Sequence, residues 1–249
     1  MNLTFNFNQW WLVVLVAVVL AAVRYGFFAG STYFFFYKMY LPLLQRFKIQ
    51  PRPPAQRQIK HELLYSLWTI VVFSLIGVCV YWLYKKGYTT LYVAISDHGW
   101  VYFFFSIVVM ILMHDFYFYW THRLLHTPWF MKHIHVVHHR SVNPTPLAAY
   151  AFHPAEALLQ GSFVFAYVTL FPVHVAAFVF VTLFIVVLNV LGHSGFEFVP
   201  RRLRAGKIGS LFTSSTHHNL HHSKVHHNFG YYFTFWDKCM RTLHKDTFK

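Results

Sequence analysis

Histidine is the residue type whose spacing in this sequence could do chemistry. Seventeen of the 19 histidines fall between residues 114 and 244. Most lie in clusters spaced three or four residues apart, a spacing that places side chains on one face of a helix. Neutral imidazole is a good ligand for iron, zinc, copper and nickel. We therefore expect these clusters to aim several imidazoles at bound metal ions: His122 with His126, His135 with His138 and His139, and His218 with His221 and His222.

The absence of certain sequence motifs excludes several kinds of metal site. The sequence has no His-Glu-x-x-His, which excludes a zinc protease of that type. None of Glu62, Glu156 and Glu197 is followed three residues later by histidine, as the ligands of soluble carboxylate di-iron bundles would be. Haem held between helices would need only two imidazoles. About eight to ten nitrogen ligands suit two metal ions, and two irons can share the electrons that cleave O₂.

The composition indicates that membrane helices position these ligands. Hydrophobic residues make up 57% of the 249 residues and charged residues 11%, against about 45–50% and about 25% in soluble chains. A globule of this size has too little interior for so much apolar surface. The net charge of +14 would suggest nucleic-acid binding only if the basic residues formed one patch. The positions of the basic residues along the chain decide between a nucleic-acid-binding protein and a membrane protein.

Apolar stretches predict where the chain crosses the bilayer. Residues 63–84 and 100–120 are each long enough to cross a hydrocarbon core of about 30 Å. Residues 157–191 are too long for one span, and Pro172 interrupts them, so we expect a helical hairpin that turns there. The sequence therefore predicts an all-α integral membrane fold with four to five spans.

A further span is expected near the N-terminus. Residues 9–23 and 25–37 are apolar, and Arg24 interrupts them. We predict one long helix, tilted or kinked, with Gly26 and Gly30 as points of flexing. A cleaved signal peptide is the alternative. We divide the chain into N-terminal helices with their linker, residues 1–99, and a catalytic region, residues 100–249, within one continuous membrane domain.

The basic residues predict the orientation of the helices. With the N-terminus outside, every lysine and arginine except Lys85 and Lys86 faces the cytoplasm, as the positive-inside rule expects. This orientation places the histidine clusters on the cytoplasmic side. The charge is then explained by topology, and we expect no nucleic-acid partner.

The histidine clusters and their flanking residues resemble the fatty acid hydroxylase/sterol desaturase superfamily of integral-membrane di-iron oxidases, in its sterol-desaturase-like branch. The resemblance runs from about Trp100 to Leu243, with its boxes in family order. It is carried by seven motifs: His114-Asp115 through His122-Arg-Leu-Leu-His126, His135-Val-Val-His138-His139, Asn143-Pro-Thr-Pro, Ala148 through His153-Pro-Ala-Glu156, Gly192-His193-Ser-Gly-Phe-Glu197, His217-His218-Asn-Leu-His221-His222, and Asn228-Phe-Gly230 with Phe235-Trp-Asp237.

The resemblance implies a fold, an α-helical membrane domain capped by a cytoplasmic, histidine-rich helical site for two metal ions, and it implies a ligand set. Hydroxylase members carry a His-x-x-x-His pair after the hairpin, where this sequence reads Asn189-Val-Leu-Gly-His193. Asn189 is therefore either a weak ligand or a packing residue, and packing is favoured. His217 is a further candidate, whereas His226 and His227 are expected to be extra surface histidines. The implied iron ligands are His122, His126, His135, His138, His139, His193, His218, His221 and His222.

Four of the seven acidic residues lie beside the boxes: Asp115, Glu156, Glu197 and Asp237. Metal-bound imidazoles usually donate their second N–H to a carboxylate or a carbonyl, and acids near lipid are costly unless paired. We expect these acids to orient ligands, with Asp115 as a direct histidine partner. The alternative for the other three is an ion pair with a nearby basic residue: Arg123, Arg140 or Lys238. No catalytic residue is predicted beyond the metal centre.

These features predict a membrane-bound, O₂-dependent di-iron oxidoreductase that desaturates or hydroxylates a C–H bond of a lipid, whether sterol-like, isoprenoid or acyl. The chain has no fused haem domain and no glycine motif for a flavin or nicotinamide. Electrons must then come from an external donor, such as a haem-b cytochrome or a ferredoxin with its reductase. The basic cytoplasmic face could dock such a carrier, although setting topology is the favoured role of that charge.

The alternative function is a membrane metal transporter or a metal-binding protein with histidine-rich cytoplasmic loops. Such a protein needs polar or acidic ligands midway through its spans. Residues 63–84 and 157–191 contain almost none. The oxidase is therefore the favoured hypothesis.

Overall fold

A computed structural model describes residues 10–249, and the first half of this part of the chain is dominated by three long helices. They are α1 (Trp10–Met39), α2 (Gln56–Lys85) and α3 (Gly99–Leu125), each long and apolar enough to cross a membrane. Large apolar side chains such as Leu20 and Val101 are exposed on them, as expected where lipid is the solvent. The spans predicted at residues 63–84 and 100–120 are confirmed.

Helix α1 is continuous but changes its winding. It is α-helical over Trp10–Tyr25 and π-helical from Gly26 to Gly30. A short α-helical stretch, Ser31–Tyr33, leads into a second π-helical stretch, Phe34–Met39. The two glycines predicted as points of flexing thus bound the first wide turn. The start of the predicted helix, Gln9, lies outside the described residues.

The second half of the chain contains the predicted hairpin. Its helices are α5 (Pro154–Leu170) and α6 (Val175–Gly192), and α6 is itself long and apolar enough to span a membrane. The turn at Pro172 leads into strand β2 (Val173–His174), which pairs in parallel with β1 (Leu91–Tyr92). This pairing joins the hairpin to the loop between α2 and α3. The all-α membrane fold is confirmed.

Short helices and turns make up most of the remaining described chain. Helix α4, residues 128–139, combines Pro128–Phe130, the π-helical Met131–His135 and Val136–His139. The other two labelled helices are α7 (Ser215–Lys224) and α8 (Phe235–Cys239). Single turns complete the set: Leu41–Leu44, Gln45–Phe47, Ile95–Asp97, Pro146–Tyr150, Arg201–Arg204 and Gly209–Leu211.

The short helices cover one end of the membrane bundle, where α3 and α6 end. Near the end of α1, the Tyr37 hydroxyl donates to the carbonyl of Ser194, just after α6. Near the start of α2, His61 bonds the carbonyl of Val137 in α4. The opposite end is closed by β1 and β2. We call the covered end, which carries the C-termini of α3 and α6, the histidine end.

Two apolar clusters lie inside the bundle and fix the helices that reach the histidine end. The first joins α1, α2 and α6 to the turn at Pro146–Tyr150 and includes Ala29, Ile70 and Val190. The second joins α3, α5 and α6. These clusters hold α3, α5 and α6 in register, so the residues that follow each helix meet at one place.

Candidate metal centre

Four elements bring nine imidazoles together at the histidine end, and seven of the nine are buried. They come from the end of α3, from α4, from the residue that follows α6, and from α7. All nine belong to the ligand set implied by the sequence: His122, His126, His135, His138, His139, His193, His218, His221 and His222.

The nine imidazoles form two groups. Group A takes one ring nitrogen from each of His122, His126, His135, His139 and His221, and group B from each of His138, His193, His218 and His222. Within a group these nitrogens all lie within 4.8 Å of one another. The consecutive pair in α4 divides between the groups, and so does the consecutive pair in α7. The groups are therefore neighbours, with the His139 and His222 ring centres 5.1 Å apart.

Facing nitrogens in each group are spaced like ligands of one ion. Two nitrogens about 2.1 Å from an ion and about 90° apart are separated by about 3 Å. The Nε2–Nε2 distances are 2.8 Å for His193–His218, 3.3 Å for His138–His193, 3.1 Å for His139–His221 and 3.2 Å for His126–His139. The donor atoms thus already have the spacing of a coordination polyhedron.

Backbone carbonyls fix the tautomers in group B. Nδ1 of His193 donates to the carbonyl of Asn189 at 2.8 Å, and Nδ1 of His138 donates to that of Ala151 at 3.4 Å. Burial lowers the pKa of His193 to about 4 and holds that of His138 well below its usual value, so both rings are neutral. Each Nε2 then carries a lone pair, and the two lone pairs face each other at 3.3 Å. This contact is repulsive unless a cation lies between them, so the group fits a metal ion.

In group A, three rings are oriented in the same way through Nδ1. His122 bonds the carbonyl of Phe229 at 3.1 Å, and His221 bonds that of His227 at 2.7 Å. His135 bonds the carboxylate of Glu156 at 2.9 Å. In each case Nε2 is left as the ring nitrogen available to the group, as expected for metal-binding histidines. Burial also lowers the pKa of His221 well below its usual value.

Among the four acidic residues beside the boxes, Glu156 is the one that contacts a proposed ligand. Its side chain and that of His135 are each only 1% exposed. A buried carboxylate on Nδ1 fixes the imidazole tautomer and raises its basicity as a ligand. Glu156 is therefore placed to orient His135.

The other acidic residues correct the sequence predictions. Asp115 accepts from the backbone N–H groups of Tyr232 and Phe233, at 2.8 and 3.2 Å, so its predicted histidine partner is wrong. It precedes His122 by seven residues on α3, about 10 Å along the axis. Its carboxylate therefore meets the loop before α8 instead of the imidazoles.

Asp237 holds another loop of the site. It accepts from the backbone N–H groups of Phe229 and Gly230 at 2.8 and 2.9 Å, and from His217 Nε2 at 3.0 Å. Burial alone would raise the pKa of Asp237, but the hydrogen bonds from His217, Thr242 and the backbone lower it to about 2. The carboxylate fixes Phe229, whose carbonyl orients His122. His217 thus lies against Asp237 and outside both groups.

Glu197 is tied to the start of α7. It accepts from the backbone N–H groups of Val199 and Thr216, and its ion pair is with Arg204 at 3.8 Å. The predicted pairing with Arg123, Arg140 or Lys238 is therefore replaced by Arg204, because the turn at Arg201–Arg204 folds back onto Glu197.

The side chain of Asn189 is bound to the backbone. Its side-chain amide Nδ2 donates to the backbone carbonyl of Ala149 at 2.6 Å. The backbone carbonyl of Asn189 accepts a hydrogen bond from Nδ1 of His193. His226 is exposed, as expected, but His227 is half-buried and supplies the carbonyl that orients His221. Sequence reasoning missed the carbonyls of Asn189, Ala151, His227 and Phe229, because every residue carries such a group.

A cavity of about 230 Å³ lies among the membrane helices next to the site. Phe118, Phe152 and Asn189 line it where it approaches the histidines. The Phe118 ring centre is 5.0 Å from that of His122, and the Phe152 ring centre is 4.9 Å from that of His138. Apolar side chains form most of the remaining wall, so an apolar molecule would fit there: Phe73, Ile76, Phe163, Val164, Phe178 and Ile185.

Comparison with known proteins identifies the family. The fatty acid hydroxylase family model matches residues 107–242, more than half of the chain. The chain belongs to the fatty acid hydroxylase family. The resemblance seen in the histidine boxes is thereby confirmed. No solved structure matches the chain.

Sterol-oxidising enzymes are among its relatives. Lathosterol oxidase of Rattus norvegicus is 31% identical over 220 residues, which cover 88% of this chain and 70% of that protein. The Delta(7)-sterol 5(6)-desaturase ERG3B of Gibberella zeae is 29% identical over 225 residues, covering 90% of this chain and 66% of that protein. Lathosterol oxidase of Homo sapiens is 28% identical over 234 residues, covering 93% and 74%.

Family, fold and site together establish the class of activity. This member of the fatty acid hydroxylase family is a membrane-bound oxidoreductase that desaturates or hydroxylates a lipid, in an iron-dependent family. The comparisons give no support to the alternative, a metal transporter, because the relatives are oxidoreductases.

Proposed function

We propose that the nine clustered imidazoles bind two iron ions, one in group A and one in group B. The observation that carries this proposal is the close approach of the Nε2 atoms of His138 and His193, 3.3 Å apart, a separation that a shared cation would explain. Iron bound there supplies the activation of O₂ that oxidises an unactivated C–H bond. A group of five nitrogens and a group of four also leave room for O₂ as co-substrate.

The surrounding residues prepare the ligands and the substrate. Glu156 and the backbone carbonyls hold five imidazoles with Nε2 free, so little reorganisation is needed when metal binds. Phe118 and Phe152 lie between the cavity and the imidazoles and exclude water from one face of the site. They also bring an apolar part of the substrate against the metal-binding groups.

We infer that the substrate is a sterol-like lipid and that the reaction is its desaturation. Similarity to lathosterol oxidase and to a Delta(7)-sterol 5(6)-desaturase supports this choice over acyl or isoprenoid lipids. The aromatic wall of the cavity also suits flat, rigid rings.

We propose that the histidine end faces the cytoplasm and receives electrons from a separate haem-b cytochrome or ferredoxin. The positive-inside bias supports this orientation. The exposed Cys239 in α8 offers a test, because it lies at the histidine end whereas Cys79 lies within α2. In a Cys79→Ser chain, an impermeant maleimide should label Cys239 only after the membrane of intact cells is opened. Labelling in intact cells would reverse the orientation.

The function is tested by comparing the lipids of cells with and without the chain, with and without O₂. We expect a sterol-like product that needs the chain and O₂, and we expect the double variant His138→Ala/His221→Ala to abolish it. His226→Ala is the matched control, because this exposed histidine belongs to the same histidine-rich segment but to neither group. A product that persists in the double variant would overturn the assignment.

A further inference from the structure

Arg24, which the positive-inside count placed on the cytoplasmic side, lies instead near the middle of a membrane-spanning helix, 14 residues after the start of α1 at Trp10. Its side chain lines the cavity beside the metal-binding groups. Arginine in a membrane span is costly unless it is paired, so its partner marks a functional site. In the described part of the chain, Arg24 has no carboxylate partner, and none of the cavity-lining residues there is acidic.

Four buried polar atoms in the cavity wall lack a hydrogen-bond partner. They are Nε of Arg24, Nδ1 of His114, Oε1 of Gln160 and the hydroxyl oxygen of Tyr150. Buried polar groups in native proteins are nearly always satisfied, and these four surround one apolar space. The Arg24 side chain lies beside the Tyr150 hydroxyl, so two of the four are neighbours. The missing partner is thus expected to come from the cavity's occupant.

We propose that Arg24 binds an oxygen atom on the polar end of the lipid substrate, while the apolar body of that lipid extends towards Phe118 and Phe152. This inference rests on the proposed function, since it names how that site recognises its substrate. The lipid oxygen accepts a hydrogen bond from the Arg24 guanidinium. If the lipid group is a hydroxyl, its O–H can also donate to Oε1 of Gln160. Alcohols and carboxylates share this accepting chemistry.

The placement separates the recognised end of the lipid from the oxidised carbon. Arg24 precedes Tyr37 by thirteen residues on α1, and Tyr37 is bonded to Ser194, the neighbour of His193. Thirteen residues correspond to about 20 Å of α-helix, so Arg24 lies well below the histidine end even though part of this segment is π-helical. A lipid anchored at Arg24 would therefore present a carbon of its body, rather than its polar end, to the metal-binding groups.

Binding of labelled probes to the purified, iron-loaded chain in detergent tests the proposal without turnover. The probes are lathosterol, its analogue lacking the hydroxyl, oleic acid and the matching hydrocarbon. We expect at least one oxygen-bearing probe to bind ~10-fold or more tightly than its oxygen-free partner, which is the effect of one hydrogen bond to a charged group. Preference for the alcohol or for the acid then identifies the lipid class.

Arg24→Met should remove this preference and leave the oxygen-free probe bound as before. Lys38→Met is the matched control, since it removes an exposed positive charge from the same helix, and it should retain the preference. If Arg24→Met cannot be purified with iron, Tyr150→Phe should lower the preference several-fold, and Gln160→Leu should do the same where the preferred probe is the alcohol. A wild-type chain without preference, or a preference that survives these substitutions, would overturn the proposal. Iron content and lipid product, measured in parallel, report on the proposed function separately.

Discussion

Replacing Glu156 tests whether the contacts around the imidazoles prepare them for metal. The Nδ1 atom of His135 and Oε1 of Glu156 are 2.9 Å apart, and both side chains are 1% exposed. Glu156→Leu leaves a buried N–H without an acceptor and frees the ring to turn. Loss of such a partner lowers metal affinity by about 10–100-fold, or about 1.4–2.8 kcal/mol. Glu156→Gln keeps an amide oxygen that can accept from Nδ1 of His135, so it should lose less of that free energy than Glu156→Leu.

The assay is the iron content of purified chain equilibrated with increasing concentrations of a chelator. The chelator concentration that removes half of the iron should fall most for Glu156→Leu and less for Glu156→Gln. Asp97→Asn is the control, because Asp97 is an exposed carboxylate in the loop between α2 and α3. If Glu156→Leu held iron as tightly as the wild type, the orienting role of Glu156 would be refuted.

Three further substitutions or conditions test the rest of the site. Asn189→Leu should retain full iron content while lowering stability by about 1 kcal/mol, because its amide bonds the Ala149 carbonyl; loss of one iron would make Asn189 a ligand. Gly195→Ala should lower the melting temperature more than Gly87→Ala. Both glycines have positive φ, 76° and 74°, but only at Gly195 would a Cβ overlap the Tyr37 hydroxyl; equal losses would contradict this packing. Burial lowers the pKa of the site histidines outside the membrane helices, so these imidazoles stay neutral even when the pH falls below the usual pKa of histidine. Iron content should therefore be unchanged from about pH 8 to about pH 6, and iron release with a midpoint near the usual histidine pKa would contradict the buried site.

The membrane helices could be predicted from the sequence because the length of an apolar stretch is a local property. The hairpin around Pro172 could also be predicted from the sequence. An apolar stretch that is too long for one span and is interrupted by proline can fold in few other ways. The change of helix type within α1 could be predicted only in part. Gly26 and Gly30 marked a place of change, but its form, a π-helical turn, depends on how α1 packs against its neighbours.

The division of the imidazoles into two groups could not be predicted from spacing. His138 and His139 are consecutive, yet they enter different groups, and the same holds for His221 and His222. Which ring enters which group depends on how α4 and α7 are placed against α3 and α6. A spacing of three or four residues says only that side chains share a face of their own helix.

The partners of the ligands show the same limit. Glu156 could be found from the sequence as an acid beside a box, and it contacts His135. Asp115 is likewise an acid beside a histidine box, but it precedes His122 by about 10 Å along the axis of α3. There it accepts hydrogen bonds from backbone amides. The sequence gives the neighbours along the chain, whereas the hydrogen-bond partner depends on depth in the bundle. The boundary between residues 99 and 100 stays a prediction.

The iron content of the purified chain tests the central claim most directly. Two groups of imidazoles predict about two irons per chain in the wild type. His138→Ala/His193→Ala, which removes two ligands from group B, should leave about one, and the further change of His126 and His139 to alanine should leave none. About one iron in the wild type, or stoichiometric iron in the fourfold variant, would contradict the account.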